Sequence, residues 1–140
     1  MNIVGTWRLV SFIVTNGADE IQLFGSHPVG LLILTESGAF SLQIMQPDRP
    51  RFASNNRTNG TDAEVRAAFA GYIAYFGTYV VEHTTGVIQL EPVGALYPNW
   101  LGETQVRLAS QDGKTLCLTT QPTGEGRRQY INRLMWEQVG

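Results

Sequence analysis

Val4-Gly5-Thr6-Trp7-Arg8-Leu9-Val10-Ser11-Phe12 is the stretch on which the fold turns. Side chains alternate along it with a period of two, so Trp7, Leu9 and Ser11 share one face and Thr6, Arg8, Val10 and Phe12 the other. The segment reads as the first stave of a barrel. Trp7 plugs one end of a sheet that closes on itself, and Gly5 leaves the backbone free to turn beneath it.

Outward from that strand the same period recurs. Residues 30–35 form a nearly continuous apolar strand, Glu36-Ser37-Gly38 a tight turn, and residues 39–45 its hairpin partner, with Phe40, Leu42 and Ile44 on one face and Ser41, Gln43 and Met45 on a more polar one. Further strands are expected over 78–83, 87–91, 103–109, 114–119 and 128–138, with Asp112-Gly113 as a hairpin turn. Asn16-Gly17 and the prolines at 28, 47, 50, 92, 98 and 122 punctuate the rest. One segment has a different period. Thr61-Asp62-Ala63-Glu64 has capping-box spacing, and Val65, Ala68, Phe69, Tyr72, Ile73 and Phe76 recur at helical intervals. The spacing predicts a helix over 62–75, stopped by Gly77, with Val65, Phe69 and Tyr72 turned onto the sheet. The fold class is therefore all-β: an eight-stranded antiparallel up-and-down barrel, which removes sheet edges, with one α-helix inserted between the third and fourth strands.

At 140 residues, 43% apolar and 16% charged, the chain is read as one globular domain spanning 1–140. Ten basic against twelve acidic residues give a net charge of -2, without the basic stripe that nucleic acid or an anionic membrane would require. Cys117 is the only cysteine, so no internal disulfide forms. The few residues before the first strand leave no room for a signal peptide, and no apolar run reaches the roughly 18 residues of a membrane span. A cytoplasmic protein, monomer or homodimer, is expected.

Cofactor chemistry finds no foothold. His27, His83 and Cys117 are far apart, so no metal is expected, since zinc needs three or four ligands at close spacing. No serine sits in a Gly-x-Ser-x-Gly elbow, and the glycines punctuate strands instead of opening a helix onto a phosphate. The informative polar groups lie on strand faces. Gln89 and Glu91 share a face of their strand and Gln105 and Arg107 a face of the next, so Glu91 and Arg107 could pair across the two. If this face is outside, the pair is a solvated ion pair, and Ile88, Leu90, Val106 and Leu108 point in. If it is inside, Arg107 offers a fixed fork to a carboxylate, phenolate or enolate oxygen, with Gln105 beside it. Gln43, Tyr79, Tyr97, Trp100 and Tyr130 complete the candidate wall and rim of such a pocket.

Several of these stretches form a series. Gly5-Thr6-Trp7-Arg8-Leu9-Val10-Ser11, Pro28-Val29-Gly30-Leu31-Leu32, Ser37-Gly38, Asp48-Arg49-Pro50, Tyr75-Phe76-Gly77-Thr78-Tyr79, Pro98-Asn99-Trp100-Leu101-Gly102 and Gln105-Val106-Arg107, in this order, resemble the bacterial and fungal lipocalin-like domain family. The resemblance implies a calycin-type barrel with a central cavity and a loose association with secondary metabolism. It also favours Arg107 inside, because Gln105-Val106-Arg107 belongs to the series. The chain departs from the pattern at Gln89-Leu90, where a histidine pair is expected, and at Gln138, where an arginine follows the terminal Trp-Glu. The second departure leaves Arg133, or Arg127, as the cation expected over Trp7. The function expected is binding of a small, largely apolar molecule with an anionic or carbonyl end inside the barrel. The alternative is a cofactor-free isomerase, cyclase or dehydratase of a polyketide- or terpenoid-like metabolite, with Arg107 stabilising an oxyanion and Glu91 or a tyrosine moving the proton.

Overall fold

A computed structural model of the chain describes residues 1–122 and 129–139. Among them run nine strands and one α-helix: β1 Gly5–Asn16, β2 Asp19–Gln22, β3 Val29–Leu34, β4 Ala39–Met45, α1 Asp62–Ala70, β5 Tyr72–Glu82, β6 Val87–Ala95, β7 Gln105–Asp112, β8 Thr115–Thr120 and β9 Ile131–Gln138. From β3 to β9 each strand pairs antiparallel with the next. β1 closes the ring by pairing with β3 on one side and, from Trp7 opposite Gln138 to Thr15 opposite Ile131, with β9 on the other. Eight strands thus make the expected closed barrel. β2 is an additional short hairpin strand on the half of β1 that β3 does not reach, and because of it the helix follows the fourth strand and not the third.

One irregularity in β1 changes which side chains are inside. The register with β9 shifts between Leu9 and Ser11, a β-bulge in which Val10 is the extra residue. Strict alternation would have sent Phe12 outward. After the bulge Phe12 joins Trp7 and Leu9 in the core, while Val10 is exposed.

The closed end, or base, is built on two tryptophans. Trp7 and Trp136 are fully buried with Leu116, and the Trp7 indole N–H donates to the Ile3 carbonyl at 2.9 Å, pulling the N-terminal segment across the base. Gly5 holds φ at +143°, a conformation side chains oppose, which lets the chain turn under Trp7. The expected cation over Trp7 is not Arg133. That residue is exposed and pairs with Ile13, half a strand away, whereas Trp7 faces Gln138. Arg127 lies outside the described residues.

The helix is shorter than its apolar spacing suggested. Its capping box forms as expected, with the Glu64 N–H donating to Thr61 Oγ1 and the Thr61 N–H to the Glu64 carboxylate, but Gly71 ends it, and Tyr72 to Glu82 is strand. Gly77, expected to stop the helix, lies within β5 beside a bulge opposite Pro92, so close to β6 that a Cβ there would sit 1.9 Å from the Glu91 carbonyl oxygen. Nor does the helix pack through an apolar stripe. Val65 and Phe69 are each 48% exposed, no residue of α1 is buried, and Tyr72 lies on the barrel's outside, donating to Gln43. Arg49 makes the connection instead, donating to the Ala68 carbonyl at 3.0 Å while its guanidinium lies 5.0 Å from the Tyr72 ring centroid.

The meander separates two kinds of connection. The β3–β4, β5–β6 and β7–β8 turns are tight and sit at the base, whereas the longer β2–β3, β4–β5 and β6–β7 connections lie at the opposite end, the mouth, where β8 ends and β9 begins. No helix among the described residues is long and apolar enough to cross a membrane.

Candidate functional site

Between base and mouth the inward side chains stop short of filling the barrel. They leave a cavity of about 220 Å³, walled by Leu32, Leu42, Ile44, Ile88, Leu90, Leu118 and Leu134 and reached from the mouth past Leu23, Ile73 and Trp100. Among the described residues four polar side chains enter this wall: Tyr75, Arg107, Thr120 and Asn132. An apolar pocket with a few convergent polar groups is the usual form of a small-molecule site.

Register explains why an arginine is there. β6 and β7 pair so that Ile88 stands opposite Arg107 and Leu90 opposite Gln105, and residues directly opposite share a face of the sheet. Ile88 and Leu90 are buried inside, so Arg107 and Gln105 are turned inward with them, while Gln89 and Glu91 are exposed on the outer face. Each of the two readings of these strands is thus right about one strand. The Glu91–Arg107 pair does not form: Glu91 accepts a hydrogen bond from Thr104 at 2.6 Å outside the barrel. That position also takes Glu91 away from any proton transfer in the cavity.

Arg107 is partly buried, and its partners are neutral. It donates to Gln105 Oε1 at 2.8 Å, to the Val106 carbonyl at 2.9 Å and to the Tyr75 hydroxyl at 3.5 Å. Among the described residues no carboxylate lies within ion-pair distance of it. A guanidinium in an apolar wall without a counter-charge is an attraction for an anion or a strong acceptor.

Aromatic rings form a continuous edge-to-face series from mouth to base. Tyr97 and Trp100 have centroids 5.5 Å apart, Trp100 and Tyr75 4.9 Å, and Tyr75 and Phe40 5.5 Å. Trp100 sits on a single 3-10 turn, Pro98–Trp100, that places it over the cavity, while Tyr97 stays at the exposed rim. On the far wall the Asn132 backbone N–H donates to Thr120 Oγ1 at 2.9 Å and its side-chain Nδ2 at 3.5 Å. Trp100, Arg107, Thr120 and Asn132 also border a second, more polar hollow of about 410 Å³ just outside, lined further by Glu103, Thr104 and Gln105.

The candidate residues therefore divide. Arg107 and Trp100 line the cavity, Gln105 supports Arg107 from its edge, and Tyr97 stands at the rim behind Trp100. Gln43 and Gln89 lie on the outside, and Tyr130 is exposed and apart from the cavity wall. Tyr79 is buried nearer the base, where its hydroxyl donates to the Thr35 carbonyl, and burial raises its pKa above the ordinary tyrosine value. Tyr75, Thr120 and Asn132 are not among the sequence candidates. Tyr75 was hidden inside the overlong helix, although the alternation of Ile73, Tyr75 and Tyr79 after Gly71 is a strand signal. His27 and His83 lie at opposite ends of the barrel, and no cluster of three potential metal ligands occurs among the described residues.

A family model described as a lipocalin-like domain matches residues 4–139 of the chain. A curated relative, the 4'-hydroxy-3'-methoxypropiophenone carrier protein of Aspergillus oryzae, is 35% identical over 86 residues, covering 57% of this chain and 78% of that protein.

Proposed function

The chain belongs to the lipocalin-like domain family, and from that premise we propose that it is a carrier for a small, single-ring aromatic molecule with an oxygen acceptor at one end, held in the barrel cavity. The observation that carries this reading is Arg107, a cation without an acidic partner among the described residues, set into a largely apolar cavity. Size supports a single ring. A dry cavity of about 150 Å³ suffices for benzene, so about 220 Å³ admits a ring with a short substituent. The relative's name gives it a phenolic aryl ketone as cargo, a molecule of this size and polarity. Burying about 250 Å² of apolar ligand surface gives on the order of 6 kcal/mol before association costs, enough for reversible carriage.

Turnover in the same cavity finds less support. Arg107 and Tyr75 are the titratable groups in its described lining, and Glu91 is outside. The proposal includes a cytoplasmic setting, which the lone thiol of Cys117 suits, and a monomer or homodimer.

Calorimetric titration of the wild type and Arg107→Leu with propiophenone and 3-phenylpropanoate tests the reading. Both should bind the wild type, and the substitution should weaken both by about 2 kcal/mol, since a charge-assisted contact is lost from a poorly solvated site. Melting should be nearly unchanged. Absence of binding to the wild type would remove the carrier reading, and equal affinities would remove Arg107 from it.

A further inference from the structure

The geometry points to Tyr75 as a second recognition group: its hydroxyl and the Arg107 guanidinium together form a two-donor seat for one ligand oxygen, selecting aryl ketones and related aryl carbonyl compounds over hydrocarbons of the same shape. This rests on the carrier reading and specifies the chemistry of its site.

Hydrogen-bond accounting is the basis. The Tyr75 side chain is 6% exposed and lines the cavity. Its oxygen accepts from Arg107 Nη2, but the hydroxyl hydrogen has no acceptor among the described residues. A buried hydroxyl normally uses its donor, so this one is available to a guest. Arg107 is in the same condition. Of its five N–H groups one on Nη1 reaches Val106 and the two on Nη2 reach Gln105 and Tyr75, and the Nη2 hydrogen that meets Tyr75 does so at 3.5 Å and is only weakly engaged.

Spacing makes the two groups one device. Nη2 gives one hydrogen to Gln105 and the other to the Tyr75 oxygen only at the 3.5 Å limit, so a guest oxygen about 2.8 Å from both groups takes over that second hydrogen and accepts the hydroxyl's as well, its two lone pairs divided. A carbonyl oxygen, or the enolate derived from it, has that pair of acceptors. A hydrocarbon occupying the same volume would leave both donors unmet. The seat is also rigid. Phe40 and Trp100 both pack edge-to-face on the Tyr75 ring, interplanar angles 74° and 64°, and Gln105 holds the guanidinium by its Oε1. Bound there, the ring of the guest lies among the leucines below, and the substituent on the far side of the carbonyl points to the mouth.

The test compares propiophenone with n-propylbenzene, which share shape and differ in the carbonyl, on the wild type and on Tyr75→Phe. The wild type should favour the ketone, and Tyr75→Phe should weaken ketone binding about tenfold while leaving the hydrocarbon within twofold. A merely structural role for the hydroxyl would move both affinities together. Loss of the ketone alone therefore supports the seat. If both probes bind and the substitution leaves their ratio unchanged, the seat is wrong and the carrier cavity stands. If neither binds the wild type, the carrier reading fails and the seat fails with it. Should Tyr75→Phe melt well below the wild type, the ratio on the wild type and on Arg107→Leu decides instead: a preference for the ketone that survives Arg107→Leu undiminished, or that disappears with it, overturns the two-donor seat, and one that falls but persists supports it.

Discussion

Trp7 and Trp136 occupy the same base and are equally buried, but their indole nitrogens are treated differently. Trp7 donates to the Ile3 carbonyl, whereas the Trp136 N–H is buried with no partner among the described residues. Replacing either by Phe removes ring volume at a cost of about 1–3 kcal/mol. At Trp7 the change also orphans a buried carbonyl, while at Trp136 it removes an unmet donor, and an unmet buried polar group costs about 1–3 kcal/mol by itself. Trp7→Phe should therefore destabilise by about 2 kcal/mol more than Trp136→Phe in urea unfolding, and equal losses would mean that the Ile3 contact contributes nothing. Individual residues were legible where chemistry is local to the residue. Trp7 could be assigned to the core from its place in an alternating strand. The partner of its N–H could not, because Ile3 comes under the base only when Gly5 turns the chain.

At the level of elements, the strands were legible and their phase was not. Alternation says that Glu91 shares a face with Gln89 and Arg107 with Gln105, but the relation between the two pairs is fixed by the β6–β7 register, which no feature of either strand displays. The Val10 bulge similarly re-phases β1 without a sequence mark. The helix failed for a different reason: Tyr72, Ile73 and Phe76 continue the helical spacing of Val65 and Phe69 by coincidence while also fitting a strand. Gly71 decided between them. What remains of α1 is held by its cap and by Arg49, not by buried surface, so it should open independently of the barrel. Thr61→Ala removes the N-cap oxygen, worth about 1 kcal/mol to a helix, and hydrogen exchange in α1 should accelerate several-fold while that of β4 and β5 stays unchanged. The cap has a pH signature as well. Backbone N–H groups of Thr61 and Ala53 donate to Glu64 and lower its pKa from 4.5. A carboxyl depressed in the folded helix stabilises it above the ordinary value and ceases to do so as pH falls through the lowered one. Exchange in α1 should thus quicken, relative to the barrel, on acidification below about pH 4.5, and a pH-independent ratio would show that Glu64 does not hold the cap.

Taken whole, the barrel was readable because closure follows from many short antiparallel strands that must all bury one face, whereas the cavity was not, because a void is what residues leave unfilled and depends on every register at once. Its existence implies a conflict between stability and binding. A closed, dry cavity forgoes about 24 cal/mol per Å³ of packing, which sets an upper bound on the order of 5 kcal/mol for about 220 Å³ that opens at the mouth. A substitution that fills part of it without strain should recover some of that energy and exclude the guest. Leu118 is suited to this, lying on β8 midway between the fully buried Leu116 at the base and Thr120 at the mouth, with its side chain in the cavity wall. Leu118→Phe should raise the melting temperature of the free protein by about 2–4 °C, the equivalent of roughly 1 kcal/mol in a chain of this size. Propiophenone at a hundred times its dissociation constant should stabilise the wild type by about 2.7 kcal/mol, and the filled variant hardly at all. Melting curves of both proteins with and without the ketone separate the possibilities. A variant that melts lower and still responds to propiophenone would mean that the added ring has turned away from the void and that the guest binds elsewhere. One that melts higher and responds fully would place binding in the outer hollow bordered by Glu103 and Thr104, outside the barrel proper.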